Sequence, residues 1–295
     1  MAQQVEFKKV RDFGEVIGDT FLFIKQNFKP LLKTFIYFCG FFMLAGLLTA
    51  IMVQSNVFRE AGAMKIAPIY TNSYSRISDF AGQYLLLIIF IMLFYNAIYV
   101  SMLSYVTLYI EKGNIAPSTQ EVWGYYKYYF FRVLGSSIVA GLFMVICFIC
   151  CIIPGIYVFP AMSIFYPIII LENASLGHSF DRSFKLVKNE WWITAAILLV
   201  VWIITYFMSM VIQMPAAIIM MFTAISHTEQ PISNAYIILS SCGQYLSYIF
   251  FIIPIIASAL IYFNLVERKE SVGLMSRIER LGADSTDKHH TEEEY

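Results

Sequence analysis

Side chains able to do chemistry are few and scattered in this sequence. Cys147, Cys150 and Cys151 have the spacing of metal ligands on paper. They sit in an apolar run with no histidine or carboxylate beside them, and a buried free cysteine behaves as a small hydrophobe. We therefore read them as packing residues. Cys39 and Cys242 stand far apart and imply no disulfide framework. The histidines are His178, His227, His289 and His290. His227 and Glu229 share a loop without an evident third group, and His289-His290 lies in an acid-rich stretch. There is no phosphate-binding glycine loop, no GxSxG, no HExxH and no carboxylate pair within an apolar segment. No catalytic residue, no metal ligand set and no cofactor is expected, and the chain reads as a non-enzyme.

Two kinds of polar residue remain. Within one long apolar segment stand Tyr95, Asn96, Tyr99, Ser101, Ser104, Tyr105 and Thr107. Asn96 and Tyr99 share a face of a helix with Leu103 or Ser104. They suit either bonds between neighbouring helices or the lining of a substrate cavity. The second kind is basic: Lys25, Lys127 and Lys188, with Arg182 and Lys185, each next to aromatic residues. An aromatic with a lysine one turn away is an ordinary interface anchor. Together the lysines could also form a ring that binds anionic headgroups or a partner.

The elements that must position these groups are membrane helices. Of 295 residues, 59% are hydrophobic and only 14% charged, against about 25% charged in an ordinary soluble domain; mean hydropathy is +0.68. A span needs roughly 20 apolar residues. Six segments meet or approach this: Leu31 to Val53, Tyr84 to Ile110, Val133 to Ile153, Ile156 to Leu171, Trp191 to Met214 and Tyr245 to Val266. No alternating β-barrel pattern is present. The fold class expected is all-α, a polytopic membrane protein. Spans three and four read as a hairpin turning at Pro154-Gly155, the return helix bent by Pro160 and Pro167. Pro215 to Ile225 reads as a helix extension or a re-entrant turn.

Basic residues orient the chain. All but Arg59, Lys65 and Arg76 of the 20 Lys and Arg fall on the side of the termini, which the positive-inside rule makes cytoplasmic. The first 30 residues mix acids with bases and lack a continuous apolar core, so they are no signal peptide. They read as an amphipathic interfacial helix with the stripe Val10, Phe13, Ile17, Phe21, Ile24 and Phe28. A similar stripe runs through Leu176, Phe180, Phe184, Val187 and Trp191, and Gln120 to Arg132 is a third candidate. The three align without gaps: Phe21 with Trp123 and Phe184, Lys25 with Lys127 and Lys188, Phe28 with Phe130 and Trp191. The chain is thus expected to hold three units, about 1–110, 111–171 and 172–281, each an interfacial helix plus a transmembrane hairpin. They form one membrane domain, followed by a disordered polar tail at 282–295.

Pro154-Gly155-Ile156-Tyr157, Glu172, Ser179, Arg182-Ser183-Phe184, Leu186-Val187-Lys188, Trp191-Trp192 and the ending Tyr262 to Glu270 resemble a bacterial six-helix membrane family. It includes the membrane domain of glycerophosphoryl diester phosphodiesterase. The similarity runs from the N-terminal helix to about Leu281. It implies a six-helix fold in the bacterial inner membrane. In the phosphodiesterase members catalysis belongs to a separate soluble barrel, which is not expected in this chain, so no phosphodiesterase activity is implied. The expected function is non-catalytic, with membrane lipids or a membrane-protein partner as ligand and no nucleic acid. The alternative is a small-molecule exporter or permease, its cavity lined by Asn96 and Tyr99.

Overall fold

A computed structural model describes residues 4–63, 73–150, 152–225 and 234–271. The tail at 282–295 and the loop bearing His227 and Glu229 lie outside the described residues. Among the described residues the fold is all-α. The helices are α1 (Phe13–Gln26), α2 (Phe28–Ala63), α3 (Ser73–Glu111), α4 (Thr119–Cys150), α5 (Ile152–Leu171), α6 (Leu176–Val187), α7 (Trp191–Ile225), α8 (Asn234–Ser247) and α9 (Ile252–Glu270). A short 3-10 turn, Tyr248–Phe251, joins α8 to α9. Six stretches are long and apolar enough to cross a membrane: Phe28–Phe58, Ala81–Glu111, Thr119–Cys150, Ile152–Leu171, Trp191–Thr223 and Asn234–Glu270. In hydrocarbon every backbone group needs an internal partner, which a helix supplies within itself.

Three boundaries differ from the sequence reading, and one alternative it left open is decided. α4 ends at Cys150 and α5 begins at Ile152, so Pro154-Gly155 lies inside the first turn of α5. Proline costs little in a first turn, where its missing N–H would have no partner in any case. Gly155 is required by closeness: a Cβ there would come within 2.6 Å of the Phe148 ring. Secondly, α7 runs through Pro215 to Ile225, so that stretch is an extension of the helix. Thirdly, the last span starts at Asn234, because α8 packs back along α7 before α9 begins. Fourthly, the Gln120 to Arg132 segment is the start of α4 itself, without a break before the span.

The core centres on α9. Every residue from Ile252 to Glu267 is buried, and α1, α3, α5, α6 and α7 all pack against it. A helix that is apolar all round belongs in such a central position. α2 pairs with α3, α4 bridges α3 and α5, and α8 lies between α7 and α2. The outward faces of α2, α4 and α7 carry exposed Phe41, Leu142, Ile149, Phe207 and Met221, as a surface facing lipid would.

The two separate short helices are matched in register. The same spacing separates Phe13 from Leu176, where α1 and α6 begin, and Phe28 from Trp191, where α2 and α7 begin. The buried positions match too: Val16, Thr20 and Phe23 of α1 correspond to Ser179, Ser183 and Leu186 of α6. These faces turn inward, while the predicted apolar stripes, apart from the buried Val187, stay half-buried or exposed, as at Phe13 and Phe28. α1 ends where Asn27 turns its side-chain amide onto the Phe23 carbonyl at 3.2 Å, a local bond that competes with helical pairing. The corresponding residue of the middle segment is Tyr129, which offers no such bond, and α4 continues.

Ahead of α1, Arg11 is among the largest fully buried side chains. Its guanidinium donates to Asp19 at 2.7 Å, to the Phe7 carbonyl at 2.9 Å and to the Lys9 carbonyl at 3.1 Å, and it also reaches the Glu6 carbonyl. Arg11→Ala strands these acceptors and is expected to cost about 3–5 kcal/mol. Arg11→Lys should recover little, since one ammonium cannot reach acceptors in those several directions. Thermal unfolding of the detergent-solubilised variants checks both.

Candidate functional site

The polar chemistry of the described residues gathers where α9 ends. Its last turns project Tyr262, Asn264, Arg268, Lys269 and Glu270. Asn264 accepts the Arg11 backbone N–H at 2.8 Å. Arg268 donates to the Arg11 carbonyl at 2.8 Å and faces Glu190 at 3.7 Å and Asp12 at 3.9 Å. Lys269 donates to the Lys185 carbonyl. The Tyr262 hydroxyl donates to Glu172 at 2.7 Å. The segments before α1, around α6 and before α7 are therefore all fastened to one helix end.

Arg182 is the centre of this hub on the α6 side. Its Nε donates to Glu172 at 2.5 Å, and its two terminal nitrogens reach the Glu270 carboxylate at 3.0 and 3.2 Å. Its side chain is 24% exposed. Burial alone would lower its pKa; the Glu270 and Glu172 carboxylates reverse that and hold it above the usual range. His178 stands 3.8 Å from the free side of Glu172. The geometry makes Arg182 a clamp between α5, α6 and α9, with its fork already occupied. Among the predicted binding residues it alone is committed in this way. Glu172, Tyr262 and Glu270 complete the clamp although the sequence reading assigned them no site role. Their signal was present only as short motifs at separate places in the chain.

Lys25, Lys127, Lys185 and Lys188 are exposed. Among the described residues none of their ammonium groups has a hydrogen bond or an ion pair. Each of the three aligned lysines has an exposed apolar ring one turn away: Phe28 for Lys25, Trp123 and Phe131 for Lys127, and Trp192 for Lys188. α4 starts with a capping box, in which Ser118 and Glu121 exchange backbone and side-chain bonds. Within α4, Arg132 donates to Asn173, in the turn between α5 and α6, at 2.5 and 3.1 Å.

Asn96 and Tyr99 part company. Asn96 is buried, and its amide donates to the Phe130 carbonyl of α4 at 3.0 Å; its Oδ1 has no partner among the described residues. Tyr99 stacks obliquely on Tyr166 with centroids 4.7 Å apart. It lines a cavity of about 150 Å³ with Ser163, Tyr166, Trp202 and Ser258. Asn96 is thus a bond between helices, and only Tyr99 borders a cavity. Cys147 is half-buried and Cys150 exposed at the end of α4, and Cys151 lies outside the described residues.

Compared with protein-family models, with curated proteins and with solved structures, the chain shows no match in any of the three.

Arg182→Met is expected to cost about 1–2 kcal/mol, because it leaves the partly buried Glu172 and the exposed Glu270 without their shared cation. A double-mutant cycle with Glu270→Gln should show coupling of about 1 kcal/mol in unfolding experiments. Strict additivity would mean that the fork does not act as one contact.

Proposed function

We propose that this chain is a non-catalytic integral membrane protein that binds anionic lipid at the basic end of its helix bundle. The carrying observation is a division of labour among cations. Arg11, Arg182 and Arg268 are bonded into the fold and Lys9 and Lys112 pair with Glu15 and Glu121, whereas Lys25, Lys127, Lys185 and Lys188 are exposed and form no ion pair among the described residues. Lysine is a compact point charge suited to a phosphate that arrives from outside, and arginine's fork suits fixed carboxylates. The exposed rings one turn away would hold each lysine at headgroup depth.

Three repeated units are part of this reading. Their support is the matched starts of α1 with α6 and of α2 with α7, and the matched buried faces. The resemblance to the membrane domain of glycerophosphoryl diester phosphodiesterase belongs here as well. Glu172, Arg182, Tyr262 and Glu270, which lie in its motifs, meet in one clamp. A membrane-protein partner could use the same lysines. An exporter or permease has less behind it, since a cavity of about 150 Å³ is below the usual size of small-molecule pockets.

Native mass spectrometry from nanodiscs tests the function. The triple variant Lys25→Glu, Lys127→Glu, Lys188→Glu should retain less phosphatidylglycerol, by about fivefold for each lysine that contributes. Unchanged retention would sink the reading.

We place the lysine end on the cytoplasmic side of a bacterial inner membrane. Bonds from Arg11 to Asn264 and Arg268 put the N-terminal segment and the end of α9 at the same end of the bundle, and that end carries the basic excess. A reporter fused after Tyr295 should be active only if its fluorophore matures in the cytoplasm. Activity of an exported phosphatase at that position would reverse the orientation.

A further inference from the structure

The surface between α5 and α7 holds an open groove of about 630 Å³. Ile156, Phe159 and Pro160 form one wall, and Leu199, Ile203 and Tyr206 the other. Trp191 borders the groove at the start of α7. Its indole N–H donates to the Tyr157 carbonyl at 2.8 Å, and its ring stacks on Tyr157 at 5.8 Å. That end is therefore preformed by a bond between the two helices. On α7 the lining residues Ala195, Leu199 and Tyr206 recur at helical spacing. Lys188 lies three residues before Trp191, in the turn that joins α6 to α7, and is exposed and unpaired among the described residues.

The first unit builds a counterpart from different side chains. Phe28, Leu32 and Ile36 align with Trp191, Ala195 and Leu199. Phe28 and Leu32 line an apolar groove of about 280 Å³ between α1–α2 and the start of α9. Leu32 and Ile36 line a second recess of about 470 Å³, together with Lys29 and Lys33. Lys25 precedes Phe28 as Lys188 precedes Trp191. Two grooves at matched positions, each with an exposed lysine three residues before its bordering ring, are more than the general apolarity of a lipid-facing surface requires.

We infer that the α5–α7 groove seats one acyl chain of an anionic phospholipid from the surrounding bilayer, with its phosphate held by Lys188 and the neighbouring Lys185. This rests on the lipid-binding reading above and names the ligand and its seat. The groove walls are almost wholly apolar, with only the Tyr206 hydroxyl and the Trp202 indole as polar groups, which suits an acyl chain better than a peptide or a sugar. The lysines supply the charge that a phosphate complements, and they favour an anionic headgroup over a zwitterionic one.

The test uses the full chain in nanodiscs doped with phosphatidylglycerol that carries a diazirine on one acyl chain. Crosslinks are mapped by mass spectrometry after irradiation. Labelling should concentrate at 156–160 and 199–210 and exceed that from a phosphatidylcholine probe of the same chain. Lys185→Glu with Lys188→Glu should lower it by about tenfold or more, given about fivefold per lysine. Leu199→Trp fills the groove at an exposed position and should abolish the label while the melting temperature holds; Ile203→Trp is a second filling variant. Equal labelling by both headgroups, or labelling indifferent to both filling variants, overturns the proposal. If the triple lysine variant sheds phosphatidylglycerol while the filling variants leave the label in place, the groove seat falls and the broader reading stands. If neither set loses lipid, both fall.

Discussion

The structure depends on burying α9. A helix with no exposed residue from Ile252 to Glu267 must have neighbours on every side, and the fold supplies them from all three proposed units. Its polar last turns could not remain at the bundle's end without partners, since an unpaired buried polar group costs on the order of 1–3 kcal/mol. The partners are Arg11, Glu172, Arg182 and Glu190, which lie ahead of α1, beside α6 and ahead of α7. The segments outside the spans are positioned by the chemistry at that helix end. Their own propensity for the membrane surface is secondary.

This constraint explains the unusual faces of α1 and α6. An interfacial helix acting alone would turn its largest apolar residues away from water. Here the inward faces are Val16, Thr20 and Phe23 in α1 and Ser179, Ser183 and Leu186 in α6. Thr20, Ser179 and Ser183 in these faces let backbones approach closely, as helix packing in membranes favours, while Phe23 and Leu186 fill the space beside them. The larger residues Phe21, Ile24 and Phe28 are left to line a groove open to the outside. The groove beside α1 is a by-product of which face that helix buries.

Much of this was legible from composition and period. The six spans follow from apolar length, because hydrocarbon thickness imposes it, and the gapless alignment anticipated where α1 and α6 begin. What could not be read lies in contacts distant in sequence. Nothing local distinguishes Arg182 from Lys185 as the clamp, since that depends on Glu270 arriving from the end of the last span. Asn96 and Tyr99 looked equivalent on one face, yet α4 presents a carbonyl to Asn96 and α5 a ring to Tyr99. Pro154-Gly155 looked like a turn because proline and glycine usually mark one. Within a first helical turn neither carries its usual penalty, and Gly155 is needed for the approach of Phe148.

The distribution of arginine and lysine connects stability to function. A guanidinium can satisfy several fixed acceptors at once, so Arg11 and Arg182 can be buried or half-buried without stranding charge. An ammonium in the same places would leave acceptors unmet, and a free guanidinium at the rim would compete for the clamp's carboxylates. Lysine at Lys25, Lys127 and Lys188 avoids both problems: it stays out of the carboxylate network and leaves its charge available to the surroundings. The fold can then hold its basic end together without spending the charges that face the membrane. Exchanging the two residue types between hub and rim would damage both properties, although the net charge of the chain would not change.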